Sequence, residues 1–357
     1  MSQAPIYLDH AATTPVRPEV LEAMTPFFTA RFGNPSSMHR FGREARVALD
    51  EARERLAHCL GAATDEVVFT SCGTESDNMA LMGAWRAQRR KGRSAVVTTP
   101  IEHKAVLAVA HHLGAEGATE RMLTVDASGT VDDAAYDAAL GDDTALVSVM
   151  WVNNEIGTVQ DVPALAARAK AAGALFHTDG VQAFGKVAVD ARTQAFDLLA
   201  ISGHKIGAPK GIGALIVRDR KAVEAIIHGG GQQFGIRPGT ENVAGAVALG
   251  RAALLAAREQ PEEAPRLRAL RDHLAGRLGA AVRGLTVNGQ AGESAPHVLN
   301  VSVAGADSEA LLMHLDLAGV AASSGSACST GSVEPSHVLV AMGVPRELAV
   351  GAIRFSL

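Results

Sequence analysis

Short apolar runs rich in β-branched residues recur along the first two thirds of the chain, and longer alanine-rich stretches separate them. The runs predict strands at 67–69, 95–98, 145–149, 175–177, 198–201 and 214–217. The stretches between them predict amphipathic helices at 75–90, 104–113, 132–140 and 162–172. Strands that alternate with helices are typical of a mostly parallel sheet covered on both faces. The pattern therefore predicts the α/β fold class.

The pattern changes after the last helix of this series, which is expected to end near Arg258. The segment Glu259–Glu263 indicates a boundary, and the residues beyond it mix helix and strand patterns. We therefore predict a large domain over 16–258 and a smaller α+β domain formed by 1–15 and 259–357.

Polar motifs follow four of the predicted strands: Ser71–Thr74, Asn153–Glu155, Asp179 and Ser202–Lys205. In an open α/β sheet, ligands bind at the carboxyl ends of the strands. The sequence thus predicts a single crevice that receives all four motifs.

Lys205 and its neighbours are the most informative residues of the chain. A lysine can form a Schiff base with an aldehyde, and Ser202 and His204 can hydrogen-bond a phosphate. Asp179 can keep a pyridine nitrogen protonated. Together these groups describe a site for pyridoxal 5'-phosphate (PLP), whose ring is an electron sink while its nitrogen stays charged. For Lys205 alone, the alternative is an ordinary surface lysine.

Among the other candidate cofactor contacts, the Gly73–Thr74 motif and His103 also have a structural alternative. Gly73 and Thr74 stand where a strand turns into a helix, so they could hold a phosphate or form a capping box, with Thr74 as the cap and Asp77 three residues on. Gln182 could reach the ring's phenolic oxygen from the turn after its strand. His103 could stack on the ring and move protons near neutral pH, or be a hydrogen-bonded structural residue.

Cys328 lies in a run of residues no larger than threonine, Ser323–Ser332. Such a loop (about 321–334) cannot pack a core, so we expect it to be mobile and exposed, with its thiol a candidate nucleophile. The alternative is a linker that happens to contain a cysteine. Arg354 could clamp a carboxylate with two hydrogen bonds, or be a surface charge.

Composition and charge exclude several classes of function. The 357 residues are 47% hydrophobic and carry a net charge of −5, which is typical of a globular enzyme and gives no electrostatic footprint for nucleic acid or a lipid surface. The glycine-rich segment 229–242 lacks the spacing of a nucleotide-binding motif. No apolar run is long enough for a bilayer, and no secretory signal is visible. Three widely spaced cysteines favour neither disulfides nor zinc, so we expect a cytoplasmic location and no metal of the protein's own.

Five motifs together resemble those of the cysteine desulfurases, which are fold-type-I, class V aminotransferase-like PLP enzymes. They occur in the family's order nearly from end to end of the chain: Tyr7–Pro15, Gly33–Ser37, Thr70–Asn78, Ser202–Lys205 and the Cys328 loop. The long loop, followed by Glu334–His337, is similar to that of the group that supplies iron–sulfur assembly. Within that group, Ser71–Thr74 resembles the nitrogen-fixation type.

The resemblance implies a role for each matching residue. Lys205 would form the Schiff base, His103 would stack on the ring and shuttle protons, and Cys328 would accept the sulfur. Asp179 would pair with the pyridine nitrogen. The other implied contacts are the phosphate ligands Gly73, Thr74, Ser202, His204 and, from the partner subunit, Thr240; Gln182 and Asn154 at the phenolic oxygen and the substrate; and Arg354 and Asn34 at the substrate carboxylate.

The resemblance also implies a homodimer that converts L-cysteine to L-alanine. A persulfide on Cys328 would carry the sulfur to an iron–sulfur scaffold protein or another acceptor, where Cys328 would be a transient iron–sulfur ligand. Two alternatives stay open: a selenocysteine lyase or aminotransferase of the same fold, and a sulfur-carrier or scaffold protein loaded by another enzyme. Two departures from the family pattern are Gln233, where many relatives have Glu, and an end at Leu357, where family members usually continue through further helices.

Overall fold

The computed structural model describes residues 5–289, 292–324 and 334–357. The strands are β1 (Ile6–Tyr7), β2 (Val67–Thr70), β3 (Ala95–Thr98), β4 (Thr119–Met122), β5 (Thr144–Ser148), β6 (Leu175–Asp179), β7 (Leu198–Ser202), β8 (Gly213–Val217), β9 (Leu285–Asn288), β10 (Val298–Val303), β11 (Val320–Ala321) and β12 (Ala352–Ser356). The α-helices are α1 (Pro18–Met24), α2 (Arg40–Leu60), α3 (Gly73–Arg89), α4 (Lys104–Ala115), α5 (Asp133–Ala139), α6 (Val162–Ala171), α7 (Val243–Ala281), α8 (Ser308–Leu317), α9 (His337–Ala341) and α10 (Arg346–Ala349). Short 3₁₀ helices cover Thr25–Phe28, Thr64–Glu66, Gly203–Lys205, Arg220–Ala222 and Gln233–Gly235.

Seven strands form the central sheet in the order β2-β8-β7-β6-β5-β3-β4. Strands β4, β3, β5, β6 and β7 pair in parallel, whereas β8 is antiparallel to both of its neighbours. Because β8 lies between β2 and β7, those two strands point the same way. The mostly parallel sheet expected from the sequence is confirmed.

Helices cover both faces of this sheet, as the apolar strand runs require. Successive side chains of a strand point to opposite faces. Val67 and Phe69 accordingly pack with α2 and α7 on one face, whereas Val68 packs with α3 and α4 on the other. The strands are therefore buried on both sides, and polar groups are left to the strand ends.

A smaller antiparallel sheet, in the order β12-β10-β9, lies at the other end of α7. Leu299 and Phe355 of this sheet pack against Leu278 of α7 and Leu311 of α8. A parallel pair, β1 and β11, brings the N-terminal segment to the same part of the molecule.

One helix, α7, runs through the segment 259–263 that the sequence indicated as a boundary. Between Leu255 and Leu267 the helix buries no residue, so Pro261 and Pro265 lie where it passes from one core to the other. A proline there leaves a helix carbonyl unpaired, and water can satisfy it. The boundary segment is thus helical and not a linker, while the division into domains 16–258 and 1–15 with 259–357 stays a prediction. None of the helices in the described ranges is long and apolar enough to cross a membrane.

Candidate active site

The carboxyl ends of β2, β5, β6 and β7, with the start of α4, open onto a cavity of about 310 Å³. Residues predicted from the sequence line it: Gly73, Thr74, His103, Asn154, Asp179, Gln182, Ser202, His204, Lys205 and Arg354. They come from separate parts of the chain because parallel strands bring their ends to one edge of the sheet.

Lys205 ends the 3₁₀ helix that follows β7, and its ammonium group is tied to the N-terminal segment. Nζ donates to the carbonyl oxygens of Ala11 at 2.6 Å and Ala12 at 2.8 Å. The same segment is fixed beside it, because Thr14 Oγ1 donates to the carbonyl of His204 at 2.8 Å. The lysine is half-buried and faces the cavity, where an aldehyde could reach its nitrogen.

The start of α3 forms one end of the cavity and has the features of a phosphate site. The first N–H groups of a helix have no intrahelical acceptor. A Cβ built on Gly73 would lie 2.8 Å from Val181 Cγ2, so glycine leaves the backbone open there. Ser202 Oγ lines the same cavity, is enclosed, and has no hydrogen-bond partner in the described structure. A phosphate would supply the missing partner, so this end of the cavity fits PLP.

The N-cap of α3 lies two residues before the position that the capping-box alternative gives it. Cys72 is the N-cap of α3, and its Sγ accepts from the N–H of Glu75 at 3.5 Å. Thr74 is an exposed residue of the first turn instead of the cap. The capping-box interpretation of Thr74 and Asp77 is therefore wrong, since the helix begins at Gly73.

His204, at the same end, is neutral around pH 7. Burial, followed by the charges of Lys205 and Lys210, lowers the pKa of its imidazole to about 4. Its Nδ1 lies 3.1 Å from Thr13 Oγ1. The ring can therefore donate one hydrogen bond into the cavity without bringing a charge.

Asp179 ends β6 and is 5% exposed. Its Oδ1 accepts from the N–H of Val181 at 2.9 Å. Burial raises the pKa of this carboxyl, and the nearby His103 and Lys205 act in the opposite direction. A buried carboxylate needs a positive or hydrogen-bonding partner, which a protonated pyridine nitrogen would provide.

Two further buried carboxyl groups stand in the same wall. Asp77 of α3 lines the cavity and is 1% exposed, and burial, then Asp179 and Glu102, raise the pKa of its carboxyl well above the usual value. Burial likewise raises the pKa of Glu102 to about 8. Glu102 Oε1 accepts from Thr99 Oγ1 and from the N–H of Met150, both at 2.8 Å. The three neighbouring carboxyl groups of Asp77, Glu102 and Asp179 cannot all ionise where water is excluded, so the site favours a cation opposite them.

His177 lies behind Asp77 and is fully buried. Its Nδ1 lies 2.8 Å from Ser148 Oγ, and its Nε2 lies 3.4 Å from Asp77 Oδ1 without the geometry of a hydrogen bond. Burial lowers the pKa of this imidazole to about 3. The contact is therefore not an ion pair near pH 7, because the imidazole is neutral there.

His103 is the N-cap of α4, and this fixes its tautomer. Nδ1 accepts from the N–H of Ala105 at 3.1 Å, so the proton of the neutral ring is on Nε2. The ring lines the cavity, where Nε2 is the atom that can give or take a proton.

Arg354 lies in β12 and is 3% exposed. Its Nη2 contacts Asp9 Oδ1 at 2.7 Å, and its Nη1 donates to the carbonyl of Asn154 at 2.9 Å. Its Nε is enclosed and without a partner in the described ranges. The guanidinium is thus held rigidly at the cavity, where it can meet an anionic substrate group.

Three predicted site residues are not among those that line the cavity. Asn34 is exposed, and its Oδ1 accepts from the N–H of Ser36 at 2.9 Å. Thr240, predicted to act from a partner subunit, is exposed in the glycine-rich segment. Cys328 lies outside the described residues. Their roles stay predictions, as does the expected lack of a metal.

The structure adds cavity and wall residues to which the sequence analysis gave no role in the site. They are Glu102, His177 and His297, which are buried, and Glu155 and His337, which line the cavity. Glu102 had a weak signal, since it directly precedes the candidate catalytic His103 in the sequence. Glu155 belongs to the motif Asn153–Glu155 that was placed in the crevice, and His337 to the segment Glu334–His337, but neither was given a role of its own. His177 and His297 had no signal, because their sequence neighbours are ordinary strand and loop residues.

Comparisons with known proteins match this chain over nearly its whole length. The class-V aminotransferase family model covers residues 6–357. A cysteine desulfurase IscS of Dictyoglomus turgidum is 47% identical over 352 residues, which are 99% of this chain and 89% of that protein. A cysteine desulfurase NifS of Azotobacter vinelandii is 45% identical over 355 residues, covering 99% and 88%. A solved NifS-like protein has a TM-score of 0.92 and 37% identity, covering 99% of this chain and 93% of that one.

Proposed function

We infer that this chain, which belongs to the class-V aminotransferase family and within it to the cysteine desulfurases, is a PLP-dependent enzyme that removes sulfur from L-cysteine and leaves L-alanine. The observation that carries this conclusion is the single cavity lined by Lys205, Asp179 and Arg354 in a chain of this family. These are a lysine for an aldehyde, a carboxyl for a pyridine nitrogen and an arginine for a substrate carboxylate.

Different residues of the cavity would bind different groups of the cofactor. Lys205 would bind the aldehyde, and Asp179 would hold the proton of the pyridine nitrogen. When bound, PLP supplies an electron sink that lets a proton leave the substrate's α-carbon and weakens its Cβ–S bond. The phosphate would lie at the start of α3, with Ser202 Oγ as a donor that now lacks an acceptor. Gly73, Thr74 and His204 complete that end of the site.

Other residues of the cavity would bind the substrate and transfer protons. Arg354 would bind the carboxylate of L-cysteine, which places the α-carbon within reach of Lys205 once that amine is released. His103 would hold or deliver a proton at Nε2, the ring atom that its helix cap leaves available. Asn154 lines the same cavity, and Asn34 stays a predicted second contact to the carboxylate.

We extend the proposal to the route of the sulfur. The Cys328 thiolate would attack the substrate's sulfur, so that an S–S bond forms while the Cβ–S bond breaks and its electron pair stays with carbon. A proton on Cβ then completes L-alanine, and Cys328 is left as a persulfide. The motif resemblance of the Cys328 segment supports this route, and an iron–sulfur scaffold protein is the proposed acceptor. Supply of nitrogenase, suggested by Ser71–Thr74, and a cytoplasmic location stay predictions.

We also propose that the enzyme is a homodimer. Phe32 and Met38 are 65% and 91% exposed, and Phe32 stacks on Phe41 with ring centroids 5.6 Å apart. Large exposed apolar side chains close together mark an interaction surface. Ser36, in the same segment, and Phe234, in the glycine-rich segment of Thr240, line a second cavity, so the two segments adjoin. A second copy seated here would cover the apolar surface and could bring Thr240 to its partner's phosphate site.

Oligomeric state and cofactor affinity test the dimer together. We expect Phe32→Glu to give a monomer in analytical ultracentrifugation and to weaken PLP binding. Met313→Glu replaces an exposed residue of α8, 68% exposed, and should leave a dimer. A monomeric wild type, or a Phe32→Glu protein that remains dimeric with unchanged affinity, would contradict the proposal.

Replacement of Lys205 tests the proposed activity itself. Lys205→Ala should lose the visible absorbance of lysine-bound PLP and should form no L-alanine from L-cysteine. Lys221→Ala, which removes an exposed lysine of the 3₁₀ helix Arg220–Ala222 that does not line the cavity, should keep both. Equal L-alanine formation by the two variants would refute the assignment of Lys205 and with it the proposed chemistry.

A further inference from the structure

Gln182, the residue predicted to reach the cofactor's phenolic oxygen, has its side-chain amide held at both ends. Its Nε2 donates to the carbonyl of Ala11 at 2.8 Å, and its Oε1 lies 3.3 Å from Nε2 of His297. Gln182 is 7% exposed and lines the cavity. The carbonyl of Ala11 also accepts from Lys205 Nζ, at 2.6 Å, so the amide is tied to the lysine as well.

These contacts leave one arrangement of protons. A carbonyl oxygen can only accept, so the end of Gln182 that faces Ala11 must be its NH₂ group. The other end is then an oxygen, and the facing Nε2 of His297 must carry a hydrogen. A primary amide has two hydrogens, and only one of them is used on Ala11. The second is available to an acceptor in the cavity.

His297 is suited to be a fixed, uncharged donor. It precedes β10, is 1% exposed, and its Nδ1 is enclosed without a partner among the described residues. Burial, then the charges of Lys186, Arg354, Arg271 and His10, lower the pKa of the imidazole well below its usual value. The lowered pKa favours the neutral ring, and the contact with Gln182 Oε1 keeps its single hydrogen on Nε2.

We propose that His297 is a positioning residue for the cofactor: it donates to Gln182 Oε1 and thereby holds the amide, which Ala11 fixes at the other end, so that an N–H points to the phenolic oxygen of bound PLP. The proposal rests on the proposed function, since it assigns a residue behind the cofactor site. It acts through Gln182, which is 115 residues away in the sequence. Without the histidine, Gln182 Oε1 loses its donor and the amide is held only at its Ala11 end, so its second N–H is no longer fixed toward the phenolic oxygen.

The visible absorbance of lysine-bound PLP reports this contact directly. The phenolic oxygen competes with the lysine nitrogen for one proton, and a donor on that oxygen stabilises its negative charge. Loss of the donor makes the nitrogen hold the proton more tightly, so the pKa of the chromophore rises. A hydrogen bond to a charged group is strong enough that we expect His297→Leu to raise the proton affinity about fivefold, a rise in this pKa of about 0.7.

The experiment is a pH titration of the absorbance of the PLP-loaded protein. His297→Leu and Gln182→Leu should each raise the chromophore pKa. The pKa in the double variant should be no higher than in Gln182→Leu, because His297 acts only through its hydrogen bond to Gln182. His297→Gln keeps an N–H donor at similar reach and should restore the wild-type value. His273→Leu, at an exposed histidine of α7, is the matched control and should titrate like the wild type.

Each other result overturns the proposal. If Gln182→Leu raises the pKa and His297→Leu does not, the histidine has no effect on the amide. If the two effects add in the double variant, they are independent. A loss of fold in His297→Leu would appear in its circular dichroism, and His297→Gln against wild type then decides, since a purely structural histidine would not be replaced by an amide donor. Failure of the proposed function looks different, because the wild type would then carry no lysine-bound chromophore or would release no L-alanine.

Discussion

Glu102 is buried in the wall behind the site, and its replacement by glutamine should change how the stability of the protein depends on pH. Burial raises the pKa of Glu102 from 4.5 to about 8. Between these two values the folded protein holds a proton that the unfolded chain has released. The free energy of unfolding therefore falls as the pH rises, by about 1.4 kcal/mol for each pH unit. Above about pH 8 this contribution is constant again.

Glutamine removes that slope because it has no proton to lose in this range. Its Oε1 can keep the hydrogen bonds from Thr99 Oγ1 and the N–H of Met150, so the variant should be about as stable as the wild type at pH 5. From pH 5 to pH 8 the difference grows to about 4 kcal/mol in favour of Glu102→Gln. This is an upper limit, since Asp77 and Asp179 titrate in the same wall.

Urea unfolding of the cofactor-free protein, followed by the fluorescence of the buried Trp85 and Trp151, measures the effect at each pH. Glu262→Gln, at an exposed position of α7, is the matched control and should follow the wild type. Parallel curves for Glu102→Gln and wild type would refute the reasoning, because they would mean that Glu102 is ionised in the fold. A neutral Glu102 leaves Asp179 as the carboxyl that ionises opposite the cofactor.

Three further predictions concern ligand binding and turnover. Gly73→Ala places a Cβ 2.8 Å from Val181 Cγ2 at the start of α3, so PLP affinity should fall about tenfold; unchanged affinity in a fluorescence titration would contradict the phosphate site. Arg354→Lys cannot span Asp9 and a substrate carboxylate, so KM for L-cysteine should rise about tenfold or more with a smaller change in kcat, and an unchanged KM would remove Arg354 from substrate binding. Asp179→Asn removes the charge that holds the pyridine proton, so kcat should fall about 100-fold or more, and a loss of less than about tenfold would show that another group holds it.

The sequence predicted the parts of the fold that are encoded locally. The strand predicted at 95–98 is β3, Ala95–Thr98, and the helix predicted at 104–113 is α4, Lys104–Ala115. An apolar run buried on both faces and an amphipathic stretch after it carry their own signal. The motifs at the strand ends could be placed in one crevice for the same reason, because the geometry of a parallel sheet follows from the order of its elements.

The sequence could not predict features that depend on residues far apart. Strand β4, Thr119–Met122, was missed because none of its residues is buried, so an edge strand of this kind shows no apolar alternation. The pairing of Gln182 with His297 joins two segments that only the folded chain brings together. Likewise, the raised pKa of Glu102 comes from burial against other elements, and nothing in the adjacent sequence encodes it.

The most direct test of the central claim is the amount of L-alanine and sulfide released from L-cysteine in the presence of a thiol reductant. The account predicts equal amounts of the two products from the wild type and neither from Cys328→Ala. Cys59→Ala is the matched control at a thiol that does not line the cavity, where burial raises the pKa of the thiol to about 11, and it should behave as the wild type. Sulfide without L-alanine, or full activity in Cys328→Ala, would contradict the account.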